Sequence, residues 1–216
     1  MAYALWTTTP FSQDVRNLEG DLDDVRARLM SYEGRYSRQY FNQIFSLFAE
    51  SLRPDVRKTY KAYDLVNNVL NLRYAPLFWK VQLALYEARL EPYLGFLHHI
   101  AWGLPSLILD FQELYRYLID DFVISYVKSL NDKDFILSLD DYSGRKCTRK
   151  FLTAINRKEF LDSIDKYFET TVNLTRIKRG SKQKIETLIN EEALLFAQYL
   201  RNEKQTWVPR IVSIHE

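Results

Sequence analysis

Cysteine, glycine and proline are scarce in this chain of 216 residues. The one cysteine, Cys147, cannot form an internal disulfide, so we expect a reducing, cytoplasmic compartment. Six glycines and six prolines leave few turns, which favours long helices over a β fold with many turns. The longest apolar run, residues 93–109, is shorter than the roughly 20 residues of a spanning helix. We therefore expect this run to lie in the core, and we expect no membrane association.

Several catalytic signatures are also missing. The sequence has no His-Asp dipeptide, which argues against a helical phosphohydrolase. It has no glycine-rich phosphate loop and no GxSxG motif, and no protease signature surrounds the cysteine. The first residues lack the cationic flank and apolar core of a signal peptide.

The charge is unevenly distributed along the chain. Hydrophobic residues make up 47% and aromatic residues 15%, enough for a substantial core. The net charge is only +2, but residues 145–184 contain twelve Lys or Arg against four Asp or Glu. This segment therefore carries +8 and the remainder −6. A basic segment of this kind is compatible with a polyanion site.

Hydrophobic periodicity predicts an all-α fold, an irregular bundle of about six main helices. Glu33-Gly34 is predicted to separate the first two helices, and Pro76 to kink the third or mark a boundary in it. Ser106 and Thr153 are predicted N-caps. The predicted helices cover about residues 13–32, 35–52, 65–89, 106–130, 154–171 and 182–202.

The segments between these helices are predicted to be irregular. Residues 91–105 are expected to form a buried, mostly non-helical connection, and residues 177–181 a basic turn. Residues 131–147 are expected to form a loop, although their alternating pattern allows a short strand or hairpin near 135–152.

Four ionisable residues interrupt the apolar block of residues 91–116: His98, His99, Asp110 and Glu113. Burying charge there is costly unless it is paired. Asp110 and Glu113 are three residues apart, so a helix would place both on one face. A histidine near two carboxylates suits a divalent metal, but spacing alone does not distinguish a metal site from a hydrogen-bonded pair.

The same block resembles a known family, the CRISPR-associated Cas-one proteins, the DNA integrase subunit of spacer acquisition. Family sequences read GLxPYxGFLH and then PSLxLDLxEEFR, and residues 91–116 read EPYLGFLHHIAWGLPSLILDFQELYR. Three further blocks follow family motifs in the same order: residues 29–41, residues 64–74 and, more loosely, residues 190–209. Two departures are an apolar link after the histidine and Leu114 where the family repeats the acid.

The resemblance implies a set of site residues. Glu33, His98 and Asp110 would hold Mg²⁺ or Mn²⁺, and Glu113 would be an additional acid of the catalytic site. The register after Gly-Phe-Leu favours His98 over His99, for which we expect core packing. The implied activity is a metal-dependent DNA endonuclease or integrase, in which a 3′-hydroxyl or water attacks a phosphodiester.

The implied partners are double-stranded or branched DNA, a second copy in a homodimer of the full-length protein, and the small Cas-two subunit. Family members usually carry an N-terminal β domain, so residues 1–216 are expected to be a single helical catalytic domain without it. Two alternatives are a transposon-borne integrase of the same superfamily and a non-catalytic helical DNA-binding or scaffold domain.

Polar and basic side chains near these motifs are candidate DNA contacts. Instead of contacting DNA, these side chains could pair with local acids, form hydrogen bonds between helices, or lie on a solvated face. The candidates are Arg35, Arg38, Asn67, Asn71, Arg73, Arg116, Lys182 and Lys184.

Overall fold

The structure is a computed structural model, and it describes residues 18–142, 145–174, 182–210 and 212–213. Seven α-helices lie within these residues and confirm the all-α fold class. They are α1 (Leu22–Ser46), α2 (Leu65–Leu72), α3 (Tyr74–Glu87), α4 (Ser106–Glu113), α5 (Arg116–Ser129), α6 (Ala154–Phe168) and α7 (Ile185–Leu200).

The chain divides into two compact units. Unit one comprises Ala75–Leu118 and Ile164–Glu216, and unit two comprises Ala2–Tyr74 and Ile119–Ser163. The contacts reported for each unit involve only its described residues. The expectation of a single catalytic domain stays a prediction.

Helix α1 runs without interruption through Gly34, so the predicted break at Glu33-Gly34 is wrong. One glycine lowers the stability of a helix by only about 1 kcal/mol, and burial of the apolar face of an amphipathic helix of this length outweighs that loss. The helix starts at Leu22, where the Asp21 side chain accepts a hydrogen bond from the N–H of Asp24 at 2.9 Å. Residues 13–17 of the predicted helix lie outside the described residues.

The predicted boundary at Pro76 is confirmed. Helix α2 ends at Leu72 and α3 begins at Tyr74, so Pro76 lies in the first turn of α3. A first-turn N–H has no partner within its own helix, so proline is tolerated there.

The two predicted N-caps have different outcomes. Thr153 accepts a hydrogen bond from the N–H of Asn156 at 3.2 Å at the start of α6, as predicted. Ser106 is instead the first residue of α4, and its hydroxyl donates to the carbonyl of His99 at 2.9 Å. The predicted helix over 106–130 is also two helices, α4 and α5.

The described residues within 131–147 lie mostly in strands and not in a loop, so the alternative of a hairpin near 135–152 is confirmed. Strands β1 (Phe135–Tyr142) and β2 (Arg145–Leu152) pair antiparallel. The N–H of Lys150 donates to the carbonyl of Tyr63 at 2.8 Å, which attaches the hairpin to the rest of unit two. Alternation of apolar and polar residues is compatible with a strand and with a loop, so periodicity alone did not distinguish the two for this segment.

Unit one contains a small sheet with strand order β4-β3-β5, made of Lys182–Lys184, Thr171–Leu174 and Val212–Ser213. Residues 182–184 were predicted to be helical and are the edge strand β4. The predicted turn at 177–181 lies outside the described residues. No helix in the described part of the chain is long and apolar enough to cross a membrane.

Candidate active site

The carboxylate of Asp110, on α4, is the centre of the site. It is 3% exposed and accepts four hydrogen bonds from the preceding loop. Its Oδ2 accepts from the backbone N–H of Phe96 at 2.6 Å and of Leu97 at 2.9 Å. Its Oδ1 accepts from the backbone N–H of His98 at 2.9 Å and contacts the His98 ring at Nδ1, 2.6 Å away. The loop therefore wraps around a single carboxylate.

These hydrogen bonds also determine the ionisation of the pair. Burial raises the pKa of Asp110, but the hydrogen bonds from the His98 ring and from the three N–H groups outweigh it, so the pKa lies below its ordinary value. An ionised carboxylate can only accept, so Nδ1 of His98 carries the proton in this hydrogen bond. Asp110 thus orients His98.

Gly95 is the residue that lets the loop approach so closely. A Cβ atom built there would lie 2.6 Å from Cβ of Ser106 and 2.7 Å from Oδ2 of Asp110. Any larger side chain would displace the loop from the carboxylate. Sequence reasoning quoted this glycine as part of a motif but did not recognise its steric role.

The loop over residues 91–105 is non-helical, as predicted, but it is not buried. Because its backbone amides point inward to Asp110, many of its apolar side chains face solvent. His99 is exposed too, so its expected core packing is wrong. The exposed apolar side chains are Tyr93 (45%), Leu94 (58%), Phe96 (46%), Ile100 (62%) and Trp102 (fully exposed).

Glu113 and Arg116 form an ion pair in which Oε1 of Glu113 lies 2.5 Å from a guanidinium nitrogen of Arg116. Both side chains are partly exposed, so the pair adds little stability. Of the alternatives for Arg116, pairing with a local acid is the one observed.

Glu33 lies on α1 in unit two and is half-buried. Among the described residues, no three His, Cys, Asp or Glu side chains form a group that could hold a metal ion. The donor types nevertheless suit Mg²⁺ or Mn²⁺, since carboxylate oxygens are hard ligands and imidazole is acceptable to Mn²⁺. Because Asp110 already accepts four hydrogen bonds, it would have to exchange at least one of them for an ion.

Arg73 does not fit its predicted contact with DNA, because its side chain is fully buried. It lies 2.6 Å from the carboxylate of Asp120, which also accepts a 2.7 Å hydrogen bond from the hydroxyl of Tyr40. The guanidinium lies 4.1 Å from the ring centroid of Tyr74. Burial, together with the charge of Asp120, raises the pKa of Tyr40, so this hydroxyl stays protonated. Arg73 is therefore a core residue of unit two.

Asn67 is also fully buried, at the start of α2, and cannot reach a phosphate. Its side chain accepts from the N–H of Lys58 at 3.0 Å and donates to the carbonyl of Val56 at 2.9 Å. Asn71 donates to the carbonyl of Lys58 at 3.1 Å. Both asparagines thus hold the segment that precedes α2. The DNA candidates with exposed side chains are Arg35, Arg38, Lys182 and Lys184.

Comparison with known proteins places this geometry in a family. The family model described as CRISPR associated protein Cas1 matches residues 8–190. A Cas1 endonuclease of Thermus thermophilus is 33% identical over 134 residues, which cover 62% of this chain and 40% of the relative. The chain spans about half or less of the length of such curated relatives.

Two solved structures share the fold. A casposase bound to integration product superposes with a TM-score of 0.73 at 21% identity, covering 95% of this chain and 61% of the casposase. A Cas6-RT-Cas1–Cas2 complex gives a TM-score of 0.69 at 21% identity, covering 84% of this chain and 19% of the neighbour's chain. The match of the family model over residues 8–190 shows that the chain belongs to the CRISPR associated protein Cas1 family.

Proposed function

We propose that this chain is a metal-dependent DNA endonuclease or integrase domain of CRISPR spacer acquisition. The observation that supports this function most directly is the His98–Asp110 pair, fixed at 2.6 Å by a loop whose amides converge on the same carboxylate. Such a pair presents an oriented imidazole on a scaffold shared with named endonucleases.

In this proposal, a 3′-hydroxyl or water attacks a DNA phosphodiester. Asp110 orients the His98 ring through Nδ1, so Nε2 is the nitrogen that His98 would offer to an ion. Glu33, His98 and Asp110 would hold Mg²⁺ or Mn²⁺, with Glu113 as an additional acid. A bound ion of this kind would supply Lewis-acid polarisation of the phosphodiester.

The proposed substrate is double-stranded or branched DNA, and exposed basic side chains in each unit offer phosphate contacts. Arg35 and Arg38 lie in unit two, whereas Lys182 and Lys184 lie in unit one. The casposase neighbour is bound to an integration product, and another neighbour is a complex that contains Cas2. We therefore propose the small Cas-two subunit and a second copy of the full-length protein as partners. The cytoplasmic location stays a prediction.

A second candidate is an integrase carried by a transposon. The casposase, the structure with the TM-score of 0.73, favours this candidate because it shares the fold over 95% of this chain. The chemistry would be the same, and the difference would lie in the DNA that is joined. A substrate panel of CRISPR repeat and transposon-end DNA would separate the two.

The test is a cleavage and strand-transfer assay with branched repeat DNA and Mn²⁺. His98→Ala is expected to lower the rate by about 10²-fold or more, because it removes one of the proposed metal ligands. His99→Ala is the matched control, because His99 is adjacent, exposed and outside the pair. Equal activity in His98→Ala and the unmodified protein would refute the proposed site. Metal-independent DNA binding without cleavage would instead support the scaffold function.

A further inference from the structure

The segment after α7 is irregular, yet a buried carboxylate fixes it in place. Glu192, on α7, is fully buried. Its Oε1 accepts from the indole N–H of Trp207 at 2.7 Å, and its Oε2 accepts from Nε of Arg210 at 2.8 Å. Arg210 also lies 2.7 Å from the carboxylate of Glu191. A buried charge paired in this way is costly to disrupt, so Trp207 has a defined position.

From that position the indole of Trp207 contacts two phenylalanine rings. It stacks on Phe111 with ring centroids 5.9 Å apart and an interplanar angle of 18°. It also contacts Phe196, on α7, at 4.5 Å. The Phe196 ring in turn contacts Phe111 at 5.3 Å and Phe96 at 5.9 Å. The four rings form one cluster within unit one.

This aromatic cluster borders both Asp110 and the loop of residues 91–105 that surrounds its carboxylate. Phe111 directly follows Asp110 on α4, and Phe96 donates its backbone N–H to Oδ2 of Asp110 at 2.6 Å. Phe96 is 46% exposed, and its ring contacts Phe196, which ties this part of the loop to α7. Loss of Trp207 would loosen the rings on which Phe96 rests.

We propose that Trp207 is a positioning residue of the active site, which acts through Phe196, Phe111 and Phe96 to hold the loop amides on Asp110. The catalytic meaning of this role rests on the proposed function. The structural role does not, because the hydrogen bonds to Asp110 can be measured without DNA or metal.

The experiment is amide hydrogen exchange on the whole chain, read at the N–H groups of Phe96, Leu97 and His98. Trp207→Ala is expected to speed exchange at these three amides by about tenfold or more, because the indole no longer packs against the two phenylalanine rings. Trp207→Phe keeps an aromatic six-membered ring but loses the pyrrole ring with its N–H, so it is expected to speed exchange less than Trp207→Ala does. Trp79→Ala is the control: Trp79 lies on α3 in the same unit, is 65% exposed and is expected to leave these amides unchanged.

The amides of α3 around Val81 and Leu85, both fully buried, serve as an internal reference. Faster exchange at residues 96–98 with unchanged exchange at Val81 and Leu85 would support the proposal. An equal increase at all these amides would mean that Trp207 only stabilises the unit, and unchanged exchange at residues 96–98 would mean that it does not hold the loop. Either result would overturn the proposal. Failure of the DNA assay alone would refute the proposed function and leave this result standing.

Discussion

Gly95 and Asp110 are so close that a Cβ atom on the glycine would lie 2.7 Å from Oδ2 of the carboxylate. The same Cβ atom would lie 2.6 Å from Cβ of Ser106, which belongs to a helix and cannot move freely. Because the loop donates its amides to Asp110, a displacement of Gly95 would lengthen those hydrogen bonds. The glycine is therefore part of the site although it has no side chain.

Gly95→Ala is expected to destabilise the protein by about 1–3 kcal/mol, the usual cost of forcing extra atoms into a packed region. We also expect it to lower DNA cleavage, since the orientation of His98 depends on the same loop. Urea unfolding and the cleavage assay would measure the two effects. The matched control is Gly34→Ala on α1, where a Cβ atom would meet nothing within 4 Å. That variant should gain up to about 1 kcal/mol of stability from helix propensity. Equal stability changes in the two variants would contradict this view of Gly95.

Stability should fall in acid because of Asp110. Burial raises its pKa, but the hydrogen bonds from His98, Leu97 and Phe96 prevail and lower the pKa in the folded protein. A lowered pKa in the folded state contributes stability above the unfolded value of about 3.9, and that stability is lost as the pH falls further through the folded value. Urea unfolding between pH 6 and pH 3 should therefore show a smaller acid-dependent loss in Asp110→Asn than in the unmodified protein.

The control for this titration is Asp165→Asn, because Asp165 is an exposed aspartate of the same unit. The Asp165→Asn variant should lose as much stability in acid as the unmodified protein does. If Asp110→Asn kept the full loss below pH 4, the hydrogen bonds to Asp110 would not be the source of the acid sensitivity.

Arg73 is expected to be structural. Arg73→Ala would leave Asp120 buried without its 2.6 Å ion-pair partner, and removing one member of a buried pair typically costs about 3–5 kcal/mol. Thermal or urea unfolding would measure this loss. Arg38→Ala is the control at an exposed arginine and should change stability by no more than about 0.5 kcal/mol. A stable Arg73→Ala variant with weakened DNA binding would restore the original prediction of a phosphate contact.

The sequence predicted the parts of the site that depend on local order along the chain. The motif around His98 and Asp110 indicated two polar groups in one apolar block, and the structure brings them into contact. Helix periodicity located most helices, since burial of one face repeats every 3.6 residues. Pro76 marked a boundary because its missing N–H restricts where it can lie in a helix.

Other features depend on tertiary packing, which periodicity does not contain. Gly34 was expected to break a helix, but the favourable burial on both sides of it outweighs its small intrinsic cost. Arg73 was a candidate phosphate contact with pairing to a local acid as the alternative, and its ion pair with Asp120 explains its burial. The loop of residues 91–105 was expected in the core from its apolar composition, but its amides face inward and many of its side chains outward.

Lys182 and Lys184 are exposed on strand β4, so neutralising them should weaken DNA binding without unfolding unit one. Each neutralised phosphate releases counterions, and the slope of log K against log salt is expected to become less negative by about 0.9 for each lysine that no longer pairs with a phosphate. The double variant Lys182→Ala/Lys184→Ala should therefore reduce the slope by up to about 1.8 in a fluorescence anisotropy titration over several salt concentrations. Lys133→Ala/Lys204→Ala is the control, since both side chains are exposed and lie outside the predicted DNA contacts. An equal change in slope for both double variants would show that only the net charge of the protein matters. An unchanged slope for Lys182→Ala/Lys184→Ala would show that strand β4 does not contact DNA.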